Sequence, residues 1–181
     1  MANNIDGLIQ AYEKVVSGKW QETLSAQERI WFLVYDPDSQ RKVDFRLIDF
    51  ENTTKKAGKK WVRISFKDCF PDWMASHEYR EEYFSDPESL IDQLEFDFKA
   101  FAIENTIQKI RNHQIDNETV VAFTDVASLL GFARLSDILN SIAGEVKGRL
   151  LVFFPGEFEK NQFRLLNARD GWSYLARPIT A

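Results

Sequence analysis

The sequence lacks several features that define secreted and membrane proteins. It has one cysteine, Cys69, so no internal disulfide can form and a disulfide-stabilised secreted scaffold is excluded. No apolar run approaches the roughly 18 residues that a membrane-spanning helix needs. The first residues show neither the basic start nor the apolar run of a signal peptide. We therefore expect a cytoplasmic protein that makes no membrane contact.

Motifs that carry catalysis or hold a cofactor are also missing. Gly18 and Gly58 each precede a lysine, but neither is part of a complete P-loop pattern. The glycine-rich dinucleotide fingerprint and the nucleophile elbow of hydrolases are absent as well. His77, His113 and Cys69 are too few for a closed zinc site. We expect a protein that is not an enzyme and has no cofactor and no metal.

The charge balance is mildly acidic, with a formal net charge of −5. Proteins that coat nucleic acid need concentrated lysine and arginine, so we do not expect this chain alone to contact DNA. Hydrophobic residues make up 44% of the 181 residues, which is enough for the core of one domain. The 15 phenylalanines and 5 tryptophans could also supply surface for a partner.

The spacing of apolar residues predicts helices that alternate with strands. Such alternation implies an α/β fold: a single domain with a mostly parallel sheet flanked by helices, here with a C-terminal antiparallel hairpin. We divide the domain, residues 1–181, into an N-terminal helical segment (1–27) and a sheet core (28–181). Predicted helices cover 5–16, 37–57, 86–113 and 136–146, and predicted strands cover 30–35, 61–66, 119–123, 149–154, 163–166 and 172–176.

Ligands of open parallel sheets bind beyond the carboxyl ends of the strands. Asp36, Asp125 and the Pro155-Gly156 pair follow the first, third and fourth predicted strands, so they are expected at one edge. Together with Arg164 they are the ligand-binding candidates of a degenerate nucleotide- or nucleic-acid-binding domain. Arginines that converge beside Pro155 and Gly156 would support this hypothesis.

A metal-dependent nuclease is a further alternative. It requires Asp36 and Asp125 within shared coordination reach of Glu145 or Glu157, because carboxylate oxygens are the ligands that Mg²⁺ prefers. The competing interpretation is structural, since Asp, Pro and Gly at strand ends are also ordinary turn residues.

Two surfaces are candidates for binding a protein partner. The first is the acidic stretch 78–97, which could dock a basic partner or could simply be a solvated helix face. The second is a set of aromatic residues near the closing hairpin, whose bland interpretation is core packing. The candidate residues are Glu78, Glu81 and Glu82 in the acidic stretch and Phe158, Phe163, Trp172 and Tyr174 near the hairpin.

Several stretches, taken in order, resemble a known family. Residues 32–37 read FLVYDP, 120–130 read VVAFTDVASLL, and 135–140 read LSDILN. Residues 150–157 then read LLVFFPGE, and 170–179 read DGWSYLARPI. This series resembles the BrxB family of bacterial BREX phage-defence systems over about residues 30–179. One position departs from the family pattern, because Thr124-Asp125 stands where a glycine-containing turn is expected.

The resemblance implies a role in phage defence. BrxB-like proteins travel with a PglZ-like protein of the alkaline phosphatase superfamily, a large ATPase and a DNA methyltransferase. The family implies no catalytic residues. We therefore expect a non-catalytic adaptor that binds a PglZ-like partner, and the large ATPase as a further partner, within a BREX-type complex.

Overall fold

The computed structural model describes residues 4–166, 168 and 173–181, and six strands lie in this part of the chain. Five strands form a parallel sheet in the order β2-β3-β4-β1-β6, and β5 pairs antiparallel with the end of β4. The predicted α/β class with a mostly parallel sheet is confirmed. The strands are β1 (Ile30–Tyr35), β2 (Lys60–Ser65), β3 (Thr119–Thr124), β4 (Arg149–Glu159), β5 (Gln162–Leu165) and β6 (Arg177–Ile179).

Helices cover both faces of the sheet, which explains why every side chain of β1 is buried. The first three helices pack on one face, and α4, α5, α7 and α8 pack on the other. The helices are α1 (Ile5–Val16), α2 (Gln40–Phe45), α3 (Leu47–Lys56), α4 (Cys69–Ser76), α5 (Arg80–Ser85), α6 (Ile91–Gln93), α7 (Lys99–Arg111) and α8 (Leu135–Ile142). Among the described residues, no helix combines the length and the hydropathy that crossing a bilayer requires.

The apolar stripe predicted for residues 5–16 is the buried side of α1. Leu8 and Tyr12 are fully buried in the same cluster as Trp31 and Phe50. The Tyr12 hydroxyl shares a 2.5 Å hydrogen bond with Thr54 Oγ1, which ties α1 to α3. The helical segment 1–27 therefore contributes to one of the two apolar clusters beside the sheet, whereas the proposed domain division stays a prediction.

Three predicted helices differ from the structure in detail. The helix predicted for 37–57 is divided into a 3-10 turn, α2 and α3. The helix predicted for 86–113 is divided into a 3-10 turn, α6, a π-helix (Leu94–Phe98) and α7. The Lys99 amide donates to Leu94 O, five residues earlier, as a π-helix requires. The apolar spacing of 86–113 places Ile91 on the buried side of the predicted helix, but in the structure Ile91 is 64% exposed. The third helix, predicted for 136–146 with Ser136 as its N-terminal cap, instead begins at Leu135 and ends at Ile142, so Ser136 lies inside the helix.

The sequence predicted that the fourth strand ends before the Pro155-Gly156 pair. In the structure β4 instead continues through this pair to Glu159. Pro155 still lies opposite Tyr35 in the parallel pairing with β1, and from Gly156 onward the strand pairs with β5. A Cβ atom on Gly156 would lie 2.0 Å from Arg164 O, so the close approach of β5 requires glycine. The Pro-Gly pair therefore marks a change of partner within one strand.

An antiparallel hairpin is present near the C-terminus, but one strand earlier than predicted. It joins β4 to β5 through Lys160 and Asn161, both of which have a positive φ. Residues 173–176 form no strand, and β6 instead pairs parallel with β1. Trp172 lies outside the described residues, as does the turn predicted at 167–171 apart from Ala168.

Candidate functional site

The carboxyl edge of the parallel sheet carries the ligand-binding candidates predicted there. Asp36 directly follows β1 and is exposed. Its carboxylate accepts a hydrogen bond of 2.9 Å from the Asp38 amide and caps a 3-10 turn that begins with Pro37. This is the ordinary role of an Asp-Pro pair after a strand, and it supports the structural interpretation of Asp36.

Asp125 occupies a left-handed backbone conformation, with a φ of 60°. A glycine or an aspartate suits this conformation, which explains how the chain departs from the glycine expected at this turn. Oδ2 of Asp125 accepts hydrogen bonds from Ser65 Oγ at 2.6 Å and from Thr124 Oγ1 at 2.9 Å. Arg63 Nη2 lies 3.8 Å from the same oxygen. The Asp125 carboxylate therefore joins β2 to β3 through its own neighbours.

The carboxylates that a nuclease would need are not brought together. Glu145 precedes β4, at the opposite edge of the sheet, and accepts two bonds from Arg111 at 2.8 and 3.0 Å. Glu157 lies beyond the carboxyl edge, in the hairpin, and its carboxylate is 3.9 Å from Arg164. Within residues 4–166, 168 and 173–181, no three His, Cys, Asp or Glu side chains could hold a metal ion together. The arrangement that the nuclease hypothesis required is not formed.

Arginines do not converge beside Pro155 and Gly156 in the described part of the chain, as the nucleotide-binding hypothesis would require. Arg164 is exposed and faces Glu157 across the hairpin, in the register of β4 and β5. Arg149 and Arg177 are the first residues of β4 and β6, so they lie at the amino edge of the sheet. The geometry at the Pro-Gly pair therefore does not support the nucleotide-binding hypothesis.

The aromatic candidates near the hairpin belong largely to the core. Phe163 is fully buried, and its ring centroid lies 4.4 Å from that of Phe32. Phe158 is half-buried and packs on Phe163 at 4.6 Å. Tyr174 is half-buried, its hydroxyl donates to Asn140 Oδ1 at 3.1 Å, and burial raises its pKa to about 12. The described candidates therefore do not form the exposed aromatic patch that was predicted for partner binding.

The predicted acidic stretch exposes all of its carboxylates, and we call it the acidic segment (residues 78–97). Its eight carboxylates belong to Glu78, Glu81, Glu82, Asp86, Glu88, Asp92, Glu95 and Asp97, and all eight residues are exposed. Glu81 lies 3.5 Å from Arg80, and Glu95 accepts a 3.0 Å hydrogen bond from Lys99. In the described part of the chain the other six have no ion-pair partner. Most of this negative charge is therefore open to solvent.

The acidic segment also exposes four large apolar side chains. Tyr79 is 51% exposed, Phe84 66%, Ile91 64% and Phe96 72%. Of these four, only Ile91 has a place predicted from the sequence, on the buried side of the helix predicted for 86–113. Their signal in the sequence is that they stand among carboxylates.

Other side chains of the same stretch hold it against the body of the protein. Tyr83 and Phe98 are buried, and both rings contact Trp73 of α4, at 6.5 and 5.5 Å. Leu90 and Leu94 are partly buried against the same cluster. The backbone that bears the exposed apolar side chains is therefore held in place by its packing against the core.

Cys69 is buried at the start of α4, and burial raises the pKa of its thiol. A buried thiol with a raised pKa is a poor nucleophile at neutral pH, since the reactive form is the thiolate. This agrees with the interpretation of Cys69 as a small core residue.

Comparison with known proteins gives a family. A model of the family described as BREX protein BrxB matches residues 72–177, which is more than half of the chain. No curated protein and no solved structure matches the chain. The matched part contains the acidic segment, β3, β4 and the hairpin, but not β1 or Asp36. From this match, and from the ordered motifs in the sequence, the chain belongs to the BrxB family and is a component of a BREX phage-defence system.

Proposed function

We propose that this BrxB-family protein is a non-catalytic adaptor that binds a PglZ-like partner within the BREX complex. The observation that carries the proposal is the acidic segment, where eight exposed carboxylates, six of them without an ion-pair partner among the described residues, are interspersed along the sequence with four exposed apolar side chains. The large BREX ATPase is a further candidate partner.

The composition of this surface is typical of protein interfaces. Aromatic residues are enriched at such interfaces and supply most of the binding free energy, while a charged rim steers association and selects the partner. Phe84 and Phe96 are the best candidates for anchors, because each exposes more than half of a large apolar ring. The surrounding negative charge requires a partner surface that is basic.

The rigidity of the segment favours binding. Tyr83 and Phe98 fix the backbone against α4, so little conformational entropy is lost when the exposed rings are covered. The π-helix lies within this stretch, and such helices are frequent at functional sites.

The test is a binding measurement with a purified PglZ-like protein from the same BREX system. The double variant Phe84→Ser, Phe96→Ser should weaken binding at least about tenfold, because each truncated anchor typically costs more than 1 kcal/mol. The matched control is Phe45→Ser on α2, which removes a ring that is 84% exposed on the other face of the sheet. Binding that is unchanged in the double variant would exclude this surface, and no binding by the wild-type chain would exclude the adaptor role.

Reversing the charge of acids in the acidic segment separates their effect on the association rate from the contribution of the apolar anchors. The triple variant Glu78→Lys, Glu81→Lys, Glu82→Lys should lower the association rate and reduce its dependence on salt, since exposed charges act mainly on encounter. The control reverses Glu13 and Glu51, two exposed or partly exposed carboxylates on the helices of the other face. Equal association rates for both variants would show that the partner does not recognise the acidic segment.

A further inference from the structure

A small pocket of about 200 Å³ lies at the amino edge of the sheet, away from the acidic segment. Its walls come from the end of α1 and the loop that follows, and from the starts of β1, β4 and β6. The side chains that matter most are Lys19, Trp20, Trp31, Arg149 and Arg177. Neither the adaptor role nor the family motifs account for this pocket.

Arg149 is the central group of the pocket, since its side chain is only 4% exposed. The guanidinium donates to Gly148 O at 3.1 Å and to Gln21 O at 2.9 Å. It also lies over Trp20, with 4.7 Å from Cζ to the ring centroid. Within the described residues no carboxylate pairs with it, although a buried arginine is normally paired.

The surroundings of Arg149 add to the unbalanced positive charge. Burial and the neighbouring Arg29 lower the pKa of Arg149, and only Glu118 opposes them. Arg29 itself donates to Lys147 O at 2.8 Å, and its Nε is buried with no hydrogen-bond partner among the described residues. Glu118 is already paired with Lys59. The carboxylate that would neutralise this cluster is therefore not supplied by its described neighbours.

The pocket has the charge and the size for a small dianion. Lys19, Arg149 and Arg177 face a single acid of the lining, Glu28, which is engaged with the Ser25 amide at 2.9 Å. A guanidinium has five N–H donors, and only two of those of Arg149 are used by main-chain carbonyls. A volume of about 200 Å³ is below the range of pockets for drug-sized ligands, which favours a single anionic group.

We propose that this pocket binds a phosphate group, either as free phosphate or as the terminal group of a nucleotide. Arg149 and Arg177 hold the oxygens, Lys19 balances the charge from the rim, and Trp20 keeps the Arg149 guanidinium in place. A phosphate group carries close to two negative charges at neutral pH, which matches the excess of cations over Glu28 better than a carboxylate does.

Isothermal titration calorimetry of the intact chain with inorganic phosphate tests the proposal, with sodium chloride at equal ionic strength as the reference. Phosphate should bind at one site, and Arg177→Gln should weaken it about tenfold, as expected for one lost charge-assisted contact. Arg164→Gln is the matched control, because Arg164 is an exposed arginine of the hairpin, and it should bind as the wild type does. Absence of a phosphate-specific heat, or equal binding by Arg177→Gln, would overturn the proposal.

Two further titrations identify the source of the phosphate group. Adenosine monophosphate that binds more tightly than phosphate assigns the pocket to a nucleotide, and weaker binding assigns it to the free ion. Acetate that binds as tightly as phosphate would overturn the assignment to phosphate. Lys19→Gln is a second variant that leaves the core unchanged, because Lys19 is exposed, and it too should weaken binding.

Discussion

The two edges of the parallel sheet differ in how their charged side chains are satisfied. At the carboxyl edge, Asp36 caps a turn and Asp125 accepts hydrogen bonds from Ser65 and Thr124. At the amino edge, Arg29 and Arg149 donate only to main-chain carbonyls among the described residues, and one of them lines a pocket. The two acids at the carboxyl edge are therefore satisfied by neighbouring groups, whereas the arginines at the amino edge keep a positive charge that no described carboxylate balances.

This difference shows what marks a ligand site in a sheet of this kind. The general rule places ligands beyond the carboxyl ends of parallel strands. In this protein Asp36 and Asp125 at that edge already have partners, so the position of a residue in the fold is not enough to mark a ligand site. Charge that the protein leaves uncompensated is the more informative signal, because burying an unpaired ion is costly.

The largest expected effects come from the glycines that bracket the parallel part of β4. A Cβ on Gly148, at the amino edge, would lie 2.0 Å from Thr119 O, and a Cβ on Gly156 would lie 2.0 Å from Arg164 O. Gly148→Ala and Gly156→Ala should each lower the free energy of unfolding by about 3 kcal/mol, because backbone must move in both cases. Urea unfolding measures this loss.

The matched control for both glycines is Gly144→Ala, since no atom lies within 4 Å of a Cβ at that position. It should change the free energy of unfolding by less than about 1 kcal/mol. If Gly156→Ala were as stable as the control, the close pairing of β5 with β4 would not exist. If Gly148→Ala were as stable as the control, the close approach of Gly148 to the Thr119 carbonyl would not exist.

An intermediate loss of stability is expected at Asp125. Two substitutions there separate the contribution of its backbone conformation from that of its hydrogen bonds. Asp125→Ala should cost about 2 kcal/mol, because alanine loses the bonds to Ser65 and Thr124 and disfavours a φ of 60°. Asp125→Gly should cost about 1 kcal/mol, since it loses only the bonds. Thermal and urea unfolding give the order. Equal losses would mean that backbone conformation contributes nothing at this turn.

Local patterns predicted the main elements because burial imposes periodicity. The run at 30–35 is apolar throughout and became the fully buried strand β1, and the apolar residues at 5–16 became the buried side of α1. Pro155 and Gly156 misled the prediction of β4, because a Pro-Gly pair usually ends a strand. Here proline keeps its place opposite Tyr35 and glycine admits a new partner strand, which depends on tertiary contacts.

The candidate surfaces were predictable only in part for a similar reason. The excess of acids at 78–97 is visible in the sequence and is exposed in the structure. Whether a given phenylalanine is exposed depends on the helix type around it, and the π-helix at Leu94–Phe98 interrupts the regular period. Arg149 could not be recognised, because its burial beside Trp20 and Trp31 results from long-range packing.

The smallest predicted effect is a pH-dependent loss of stability on removing the carboxylate of Asp116. Lys60 and Thr119 hold the pKa of Asp116, at the amino edge, at about 2, below its ordinary 3.8. The ionised form therefore stabilises the fold above about pH 4, and this contribution is lost as the pH falls toward 2. Asp116→Asn should be less stable than the wild type near neutral pH and should converge with it in acid. Asp38→Asn, which removes an exposed carboxylate that has no ion-pair partner in the described part of the chain, is the matched control substitution. A constant gap between Asp116→Asn and the wild type across the titration would show that the ionisation of Asp116 is not linked to folding.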